Sequence, residues 1–357
     1  MEEIILQRKL EALGQNGTLI RKDGKTFLQL DCENAKELSM KWGEKLYPFT
    51  KTGKKWILEL PFSTAVNYVQ ICVDGQEVLS PELPIAHGYG RPYNYIELPD
   101  EDGLFELRDV PHGTLTQEFY KSQISDNWEK LIIYLPPCVP SAGLPVLYLQ
   151  HGFGESEISW STTGKVNILM DNLIAAGKIK PFAIVMGNGM VKQRVDGELK
   201  LNRALYGQML VEEILPMIEK KYQFGGSKEK RGMAGLSMGS VQTTRTICEH
   251  PELFSEVGLF SGFLRHRIVG DEEHDGIISK SGEQSYLKAM DDADFNSYFH
   301  TFFRCIGDED WFLPRFLEED EIIQTKGVWE IRRIYHGGHD WNVWRPCFAD
   351  FAQMIFR

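Results

Sequence analysis

Ser237 lies in the run Gly235-Leu-Ser-Met-Gly239, which matches the G-x-S-x-G pattern of a nucleophilic serine. A short strand is predicted at Arg231–Ala234 and a helix at Val241–Cys248, so the serine occupies a strand–turn–helix context. Glycines flank the serine because a sharp turn leaves no room for neighbouring side chains. The amino-terminal dipole of the helix would stabilise negative charge beside the serine. The alternative interpretation is an ordinary turn between a strand and a helix.

A general base must activate this serine, because a hydroxyl group is a weak nucleophile. In α/β-hydrolases a carboxylate and then a histidine follow the serine along the chain. Six histidines lie downstream, at positions 250, 266, 274, 300, 336 and 339. The first four lie at a helix end, in a charged irregular stretch or in a predicted strand. His336 and His339 lie in a glycine-containing loop after the apolar run Val328–Tyr335, and we take His339 as the base and His336 as a neighbour that packs or hydrogen-bonds.

The carboxylate that orients the base is expected at the end of the strand predicted at Tyr298–Ile306. Asp308, Glu309 and Asp310 follow that strand. Spacing alone does not separate these three residues, and two of them must be solvated loop charges.

Backbone N–H groups must also stabilise the oxyanion that forms when the serine attacks a carbonyl carbon. One donor is expected from Met238, the residue after the serine, and the second from a loop after an early strand. The apolar run Val146–Leu149 leads into His151-Gly-Phe-Gly154, so the Phe153 N–H is the expected second donor. His151 precedes the serine, and we expect a structural role for it.

Six segments resemble, in the same order, motifs of the esterase D-type α/β-hydrolases and, among these, of carbohydrate esterase family 1. They are Leu144–Gly152, Asp171–Lys178, Gly235–Gly239, Glu249–Phe254, Phe260–Gly262 and Gly337–Trp344. The resemblance covers roughly residues 115–357 and is more specific than any single motif. The family includes feruloyl and acetylxylan esterases, so the resemblance implies ester hydrolysis, for which we expect neither a cofactor nor a metal.

The resemblance also implies roles for individual residues. The family's Gly-x-x-Asp pattern maps onto Gly307–Asp310, which implies Asp310 as the acid and leaves Asp308 as the alternative. The residues expected to line the substrate pocket are Gly154, Trp160, Gln242, Trp311 and Trp341. Two departures are visible. Ser240 stands where the family often has a second glycine, which predicts a minor packing effect, and the acidic segment Leu264–Phe299 is expected to form part of the acyl or leaving-group pocket.

The elements that position these residues alternate between strands and helices over roughly residues 115–357. Short apolar runs predict strands at Lys130–Leu135, Val146–Leu149 and Ala183–Met186. Apolar residues recur every three or four positions in Asn167–Ala176 and Leu205–Tyr222, which predicts helices. This alternation predicts an α/β-hydrolase fold, a mostly parallel sheet with helices on both faces. Its catalytic loops are expected at the carboxyl ends of the strands.

The first ~100 residues carry a different pattern, in which short strands are separated by glycine-containing turns. The predicted strands are Thr26–Leu30, Trp56–Leu60 and Tyr68–Val73. We therefore predict a small all-β sandwich at 1–103, a polar linker at 104–114 and the hydrolase domain at 115–357.

The sandwich loosely resembles early-set domains related to glycogen-binding modules. Five of its aromatic residues have rings that could stack on sugars: Trp42, Trp56, Tyr89, Tyr93 and Tyr95. Aromatic residues in a small sandwich are usually core, so a spacer or oligomerisation module is favoured over glycan binding.

Composition limits the partners and the location. The 357 residues are 42% hydrophobic and 25% charged with a net charge of −12, which is typical of a globular protein and argues against nucleic-acid and anionic membrane partners. The six cysteines have no paired spacing, so we expect thiols in a reducing compartment. The start Met-Glu-Glu-Ile-Ile-Leu lacks the basic and apolar regions of a signal peptide, so we expect a cytoplasmic location. A homo-oligomer is left open.

The leading hypothesis is a serine carboxylesterase that uses Ser237, His339 and Asp310 on a small-molecule or oligosaccharide ester. The resemblance implies feruloyl or acetyl esters of plant-derived oligosaccharides. A siderophore-lactone esterase, an S-formylglutathione hydrolase and an acyltransferase are alternatives within the same fold. The alternative from another class is a non-catalytic glycan-binding protein, against which the intact serine, aspartate and histidine argue.

Overall fold

A computed structural model describes residues 2–4, 18–100, 102–137, 143–262 and 289–357. The chain divides into two compact units, Met1–Arg108 and Asp109–Arg357. Most of the predicted pocket segment Leu264–Phe299 lies outside the described residues, as do His266, His274 and Cys138.

The N-terminal unit contains eleven strands in its described residues. They are β1 (Glu2–Ile4), β2 (Thr18–Lys22), β3 (Lys25–Asp31), β4 (Leu38–Trp42), β5 (Lys45–Pro48), β6 (Thr50–Thr52), β7 (Lys55–Glu59), β8 (Val66–Val73), β9 (Gln76–Val78), β10 (Ile85–Gly88) and β11 (Arg91–Glu97). One sheet has the order β1-β2-β3-β7-β6, and the other has the order β10-β11-β8-β4-β5 with β9 paired to β8. Leu28 and Trp56 of the first sheet share one core with Met40, Val69 and Ile71 of the second, so the unit is a β-sandwich.

Two tight hairpins show why glycine-containing turns separate these strands. Asp23 and Gly24 connect β2 to β3 with φ of 51° and 76°, and Asp74 and Gly75 connect β8 to β9 with φ of 48° and 80°. A two-residue turn with both residues at positive φ matches the twist of the paired strands. Aspartate tolerates this conformation and glycine adopts it freely, so the Asp-Gly pairs determine where the strands reverse.

The C-terminal unit contains ten strands in its described residues. They are β12 (Thr114–Lys121), β13 (Trp128–Leu135), β14 (Val146–Gln150), β15 (Ala183–Gly187), β16 (Lys192–Val195), β17 (Glu198–Leu201), β18 (Arg231–Leu236), β19 (Glu256–Phe260), β20 (Thr301–Gly307) and β21 (Ile331–Tyr335). Its described helices are α1 (Val166–Ala175), α2 (Leu205–Met209), α3 (Leu215–Tyr222), α4 (Met238–Glu249), α5 (Phe295–Tyr298), α6 (Leu313–Thr325) and α7 (Trp341–Ala352). A π-helical segment, Leu210–Ile214, joins α2 to α3, and a 3₁₀ turn covers Lys228–Lys230.

The central sheet of this unit has eight strands in the order β12-β13-β15-β14-β18-β19-β20-β21. The first two pairings, β12 with β13 and β13 with β15, are antiparallel, and the remaining pairings are parallel. Strands β14, β15, β19 and β20 are buried along their whole length, as expected for parallel strands covered on both faces. The α/β-hydrolase fold predicted from the alternation of elements is confirmed.

Four of these strands deliver the predicted site residues to one edge of the sheet. β14 ends before His151, β18 ends immediately before Ser237, and β20 ends before Asp308. β21 ends before His336 and lies next to β20 with Gly307 opposite Tyr335. Because parallel strands end at the same edge, residues far apart in the sequence are brought together there.

Two predicted elements differ in detail from the structure. The helix predicted at Leu205–Tyr222 contains the π-helical turn Leu210–Ile214, which hydrophobic spacing does not reveal. The strand predicted from Tyr298 begins instead at Thr301, because Phe295–Tyr298 forms a helical turn.

Two global features concern only the described part of the chain. Among those residues, no helix combines the length and apolar character needed to cross a bilayer. The described cysteines, Cys32, Cys72, Cys248, Cys305 and Cys347, are free thiols.

Candidate active site

Ser237 occupies a strained turn between β18 and α4, with φ of 50° and ψ of −115°. Residues other than glycine rarely adopt a positive φ, and such strain persists only where the surrounding structure imposes it. A Cβ on Gly235 would lie 2.4 Å from the carbonyl carbon of Gly239, and a Cβ on Gly239 would lie 2.6 Å from the carbonyl oxygen of His151. Close approach of the backbone therefore requires glycine at both flanking positions.

His339 lies between Ser237 and Asp310. Its Nε2 atom is 2.9 Å from Ser237 Oγ, and its Nδ1 atom is 2.8 Å from Asp310 Oδ2. A carboxylate only accepts hydrogen bonds, so Nδ1 carries the imidazole proton and Nε2 is free to accept the serine proton. The structure thus brings together the three residues predicted as nucleophile, base and acid in an arrangement able to activate a hydroxyl group.

Asp310 and His339 form a buried pair, with residue exposures of 3% and 8%. Asp310 Oδ1 accepts the Phe312 N–H at 2.9 Å, which leaves Oδ2 for the imidazole. Three aromatic rings contact the imidazole, with centroids 4.6, 5.2 and 5.1 Å from its own: Trp311, Phe312 and Trp344. These rings keep water from the pair and so strengthen the interaction between its members.

Asp308 and His336 form a second pair at the surface. His336 Nδ1 donates to Asp308 Oδ2 at 3.2 Å, and the Gly337 N–H donates to Asp308 Oδ1 at 2.9 Å. These two bonds hold the pKa of Asp308 below its usual value, and the bond to Asp308 raises the pKa of His336. Among the described residues, Asp308, Glu309 and His336 also have ligand atoms within 4.8 Å of one another, close enough to share a metal ion, but all three are exposed.

The loop after β14 runs beside the serine. A Cβ on Gly152 would lie 3.5 Å from Ser237 Cβ, so the backbone around Gly152 and Phe153 borders the nucleophile. The Phe153 ring is 51% exposed, and the Arg203 guanidinium lies 5.0 Å from its centroid. Met238 is the first residue of α4, where a helix has N–H groups without intrahelical acceptors. Both peptide groups predicted as oxyanion donors are therefore neighbours of Ser237.

Two side chains of this loop hold its backbone. His151 is buried; its Nδ1 donates to the Gly152 carbonyl at 2.8 Å and its Nε2 accepts the Gly189 N–H at 2.9 Å. Burial lowers the pKa of His151, which keeps the ring neutral, and its contacts are structural. Glu155 accepts the Gly152 N–H at 2.9 Å and the Trp341 indole N–H at 3.1 Å.

Sequence reasoning assigned no role to Glu155. Desolvation by burial raises the pKa of its carboxyl group from 4.5 to about 7. The sequence places Glu155 directly after the His-Gly-Phe-Gly run, but nothing in that run distinguishes a desolvated carboxylate from a solvated loop charge.

One of the expected pocket residues, Trp311, lies where a substrate can reach it. Trp311 is 62% exposed and its ring lies over His339. Gly154 is buried in the loop after β14, with φ of 74°, a conformation that favours glycine, so its expected place at the pocket surface is wrong.

The other three expected pocket residues require a correction. Trp160 and Trp341 are each 1% exposed and Gln242 is 4% exposed, so none presents a surface to a substrate. Their N–H groups are already used: the Trp160 indole donates to the Gln150 carbonyl, the Trp341 indole to Glu155, and the Gln242 amide to the Gly189 and Arg203 carbonyls. The position of these aromatic and amide side chains next to the motifs predicts ligand contacts, but in the structure they support the loops from within.

Ser240 is fully buried against Gly262, where a Cβ would lie 1.8 Å from Ser240 Oγ. Its hydroxyl has no hydrogen-bond partner among the described residues. A small side chain at Ser240 therefore fits only because position 262 is glycine.

The sheet order and the strained serine turn define an α/β-hydrolase. The sequence model of the family described as "Putative esterase" matches residues 122–354. The chain belongs to this esterase family, whose chemistry is the hydrolysis of carboxylic esters.

Individual relatives agree with this family. The endo-1,4-beta-xylanase/feruloyl esterase of Xylanibacter ruminicola is 31% identical over 96% of this chain, which spans 46% of that relative's length. The structure of a CE1 ferulic acid esterase from Anaeromyces mucronatus with ferulic acid is 21% identical, with a TM-score of 0.61 over 72% of this chain and 96% of that one. The enterobactin esterase of Shigella flexneri is 12% identical, with a TM-score of 0.65 over 95% of this chain and 96% of that one. The two structural likenesses concern the fold, and the family model and the Xylanibacter ruminicola relative confirm the resemblance to an esterase family.

Proposed function

We propose that this chain is a serine carboxylesterase in which Ser237 is the nucleophile, His339 the general base and Asp310 the acid that orients it. The observation that carries the proposal is the position of His339, with Nε2 2.9 Å from Ser237 Oγ and Nδ1 2.8 Å from Asp310 Oδ2. The strained turn at Ser237 and the enclosure of the imidazole support it, because both are typical of sites whose geometry is held for catalysis.

The reaction proceeds in two halves. Ser237 Oγ attacks the ester carbonyl carbon while its proton passes to His339 Nε2, and the N–H groups of Phe153 and Met238 stabilise the resulting oxyanion. The bond to the alcohol oxygen then breaks, and His339 gives its proton to the departing alcohol. Water repeats the sequence on the acyl-enzyme, which releases the acid and restores Ser237.

The proposed substrates are feruloyl or acetyl esters of plant-derived oligosaccharides. The feruloyl esterase activity in the name of the Xylanibacter ruminicola relative supports this choice. The exposed rings of Phe153 and Trp311 near Ser237 also support it, since aromatic faces pack well against aromatic acyl groups and sugar rings. A siderophore lactone, S-formylglutathione and acyl transfer to another alcohol are the alternatives to be tested alongside.

The central experiment is the hydrolysis of p-nitrophenyl acetate by the wild-type chain and by Ser237→Ala. Loss of the nucleophile should lower kcat by about 10⁴–10⁶-fold without loss of folding. A folded Ser237→Ala variant that keeps more than about a tenth of the activity would exclude Ser237 as the nucleophile. Relative kcat/KM on methyl ferulate, an acetylated xylo-oligosaccharide, an enterobactin-type trilactone and S-formylglutathione then ranks the substrate classes.

A second candidate function, glycan binding, concerns the N-terminal unit. The rings of Tyr68 and Tyr93 stack with centroids 5.6 Å apart, and Tyr89, which is 60% exposed, lies edge-on to Tyr93 at 6.2 Å. Trp56 and Tyr95 are buried, at 4% and 5% exposure, and belong to the core. Trp42 is half-buried and packs against Tyr47 and Phe62 beside the core. The candidate sugar-stacking residues are therefore the Tyr68, Tyr89 and Tyr93 group.

Affinity electrophoresis in soluble arabinoxylan or glycogen tests this second function. Retardation of the wild-type chain that Tyr89→Ala and Tyr93→Ala abolish, with p-nitrophenyl acetate turnover unchanged, would support glycan binding. Absence of retardation in the wild type would favour the spacer interpretation.

A further inference from the structure

Glu155 joins two loops of the site through one carboxylate. Its Oε2 accepts the Gly152 N–H from the loop after β14, at 2.9 Å. Its Oε1 accepts the indole N–H of Trp341, at 3.1 Å. Trp341 opens α7 and lies two residues after His339. The carboxylate therefore connects the loop of a predicted oxyanion donor to the segment that carries the predicted base.

The bonds around Gly152 determine where the Phe153 N–H points. Glu155 holds the Gly152 N–H, while the Gly152 carbonyl accepts from His151 Nδ1 at 2.8 Å and from the Glu155 backbone N–H at 3.3 Å. In a trans peptide the N–H points away from the preceding carbonyl oxygen, so a fixed Gly152 carbonyl fixes the direction of the Phe153 N–H. His151 is itself fixed, because its Nε2 accepts the Gly189 N–H.

The other end of the connection lies in the packing around the imidazole. Trp341 is 1% exposed and packs edge-on against Trp344 with centroids 5.4 Å apart. Trp344 in turn packs edge-on against the His339 ring at 5.1 Å. A shift of the Trp341 indole would therefore displace the Trp344 ring and, through it, the His339 ring.

Among the described residues no cation pairs with Glu155, although a buried carboxylate in the same loop has such a partner. Glu157 forms an ion pair with Lys130, whereas the partners found for the Glu155 carboxylate are the two N–H groups. Burial raises the pKa of Glu155 to about 7, so the ionised form is disfavoured by its surroundings. A carboxylate in surroundings that disfavour its ionised form is expected to contribute to the function of the site more than to the stability of the fold.

We propose that Glu155 is a positioning residue for ester hydrolysis, whose carboxylate holds the Phe153 N–H in line for the oxyanion and in register with His339. This inference rests on the proposed function, since it concerns the oxyanion of that reaction. It assigns Glu155 no proton transfer.

Kinetics on p-nitrophenyl acetate with the full chain test the proposal. Glutamine can accept one N–H but presents a donor to the other, so Glu155→Gln should lower kcat by about 10–100-fold, part of the effect of losing an oxyanion donor. KM should change by less than about threefold, because the lost interaction is made in the transition state. Glu155→Asp keeps the carboxylate and should recover part of the loss. Trp341→Phe removes the indole N–H together with part of a buried ring, and its loss should be smaller than that of Glu155→Gln and less than additive with it.

Glu157→Gln is the matched control, because it removes the charge of a neighbouring carboxylate in the same loop. It should lower thermal stability and keep kcat within about twofold of the wild type, since its partner is Lys130. Equal kcat losses in Glu155→Gln and Glu157→Gln, or a Glu155→Gln effect confined to KM, would show that Glu155 has no positioning role.

Hydrogen exchange measured by mass spectrometry separates this inference from the proposed function. A peptide covering 150–156 should exchange faster in Glu155→Gln and in Trp341→Phe than in the wild type, whether or not the chain hydrolyses the ester. Unchanged exchange in both variants would overturn the positioning role. Absence of hydrolysis in the wild type, or hydrolysis that survives Ser237→Ala, would instead overturn the proposed function and leave the exchange result to decide the contacts of Glu155.

Discussion

The structure contains two aspartate–histidine pairs formed by the same two loops, and only one of them reaches the serine. Asp308 pairs with His336 and Asp310 pairs with His339, at 3.2 and 2.8 Å. The first pair is exposed, with 85% of the His336 side chain accessible, whereas the second has side-chain exposures of 6% and 0%. Residue type and spacing are thus compatible with either pair as catalytic partners.

The difference arises from how the two loops are held together. β20 and β21 are parallel neighbours, and their pairing continues past the strands: the Asp308 N–H donates to the Tyr335 carbonyl, and the Glu309 N–H donates to the Gly337 carbonyl. A Cβ on Gly307 would lie 2.2 Å from the Gly337 carbonyl oxygen, so the loops meet backbone to backbone. Asp308 therefore remains at the protein surface, and the chain then turns toward the interior, where Asp310 is buried.

An aspartate–histidine hydrogen bond is therefore not itself a catalytic feature. A solvated pair adds little, because water competes for both partners. A pair enclosed by aromatic rings and in contact with a serine hydroxyl can hold one tautomer and direct one nitrogen at the nucleophile.

Replacing the two histidines in turn should give the largest contrast. His339→Ala should lower kcat/KM on p-nitrophenyl acetate by about 10⁴–10⁶-fold, because the serine loses its base. His336→Ala should stay within about twofold of the wild type, as is usual for exposed substitutions. A dead His336→Ala with an active His339→Ala would mean that the outer pair is the catalytic one.

The two aspartates should show the same contrast at a smaller scale. Asp310→Asn should lower kcat by about 10⁴-fold, since an amide favours the wrong imidazole tautomer. Asp308→Asn should have little effect on kcat, because the partners of Asp308 are His336 and the Gly337 N–H. Steady-state kinetics of both variants at one pH decide the ranking, and the reverse order would move the acid by two residues.

The smallest expected effect concerns the pH dependence of stability, to which the carboxyl group of Glu155 contributes. The folded pKa of Glu155 is about 7 against an ordinary 4.5, so between these values the folded chain binds more protons at this site than the unfolded chain. The contribution of Glu155 to stability therefore falls as pH rises through this window. The Tm of Glu155→Gln minus that of the wild type should become more positive from about pH 5 to about pH 8, as measured by differential scanning calorimetry. A difference that is flat with pH would mean that Glu155 is ionised throughout the range.

The amino-acid sequence determined the features that depend on local patterns. Alternating apolar runs and helical periodicity predicted the mostly parallel sheet, and glycine-containing turns predicted where the short N-terminal strands end, because both follow from backbone geometry within a few residues. The G-x-S-x-G run located Ser237, since the close backbone approach at Gly235 and Gly239 leaves a signature in residue type. The order of serine, carboxylate and histidine left six candidate histidines, and their local context limited the base to one loop.

Which groups lie together and which are buried depends on the tertiary structure. It brought Asp310 to His339, and it enclosed Trp160 and Trp341, for which the sequence alone predicts a place in the substrate pocket. It also removed the Glu155 carboxylate from water, next to Trp341, which lies 186 positions away along the chain. Burial and hydrogen bonding at the sheet edge depend on strands that meet from distant parts of the chain, so no local pattern records them.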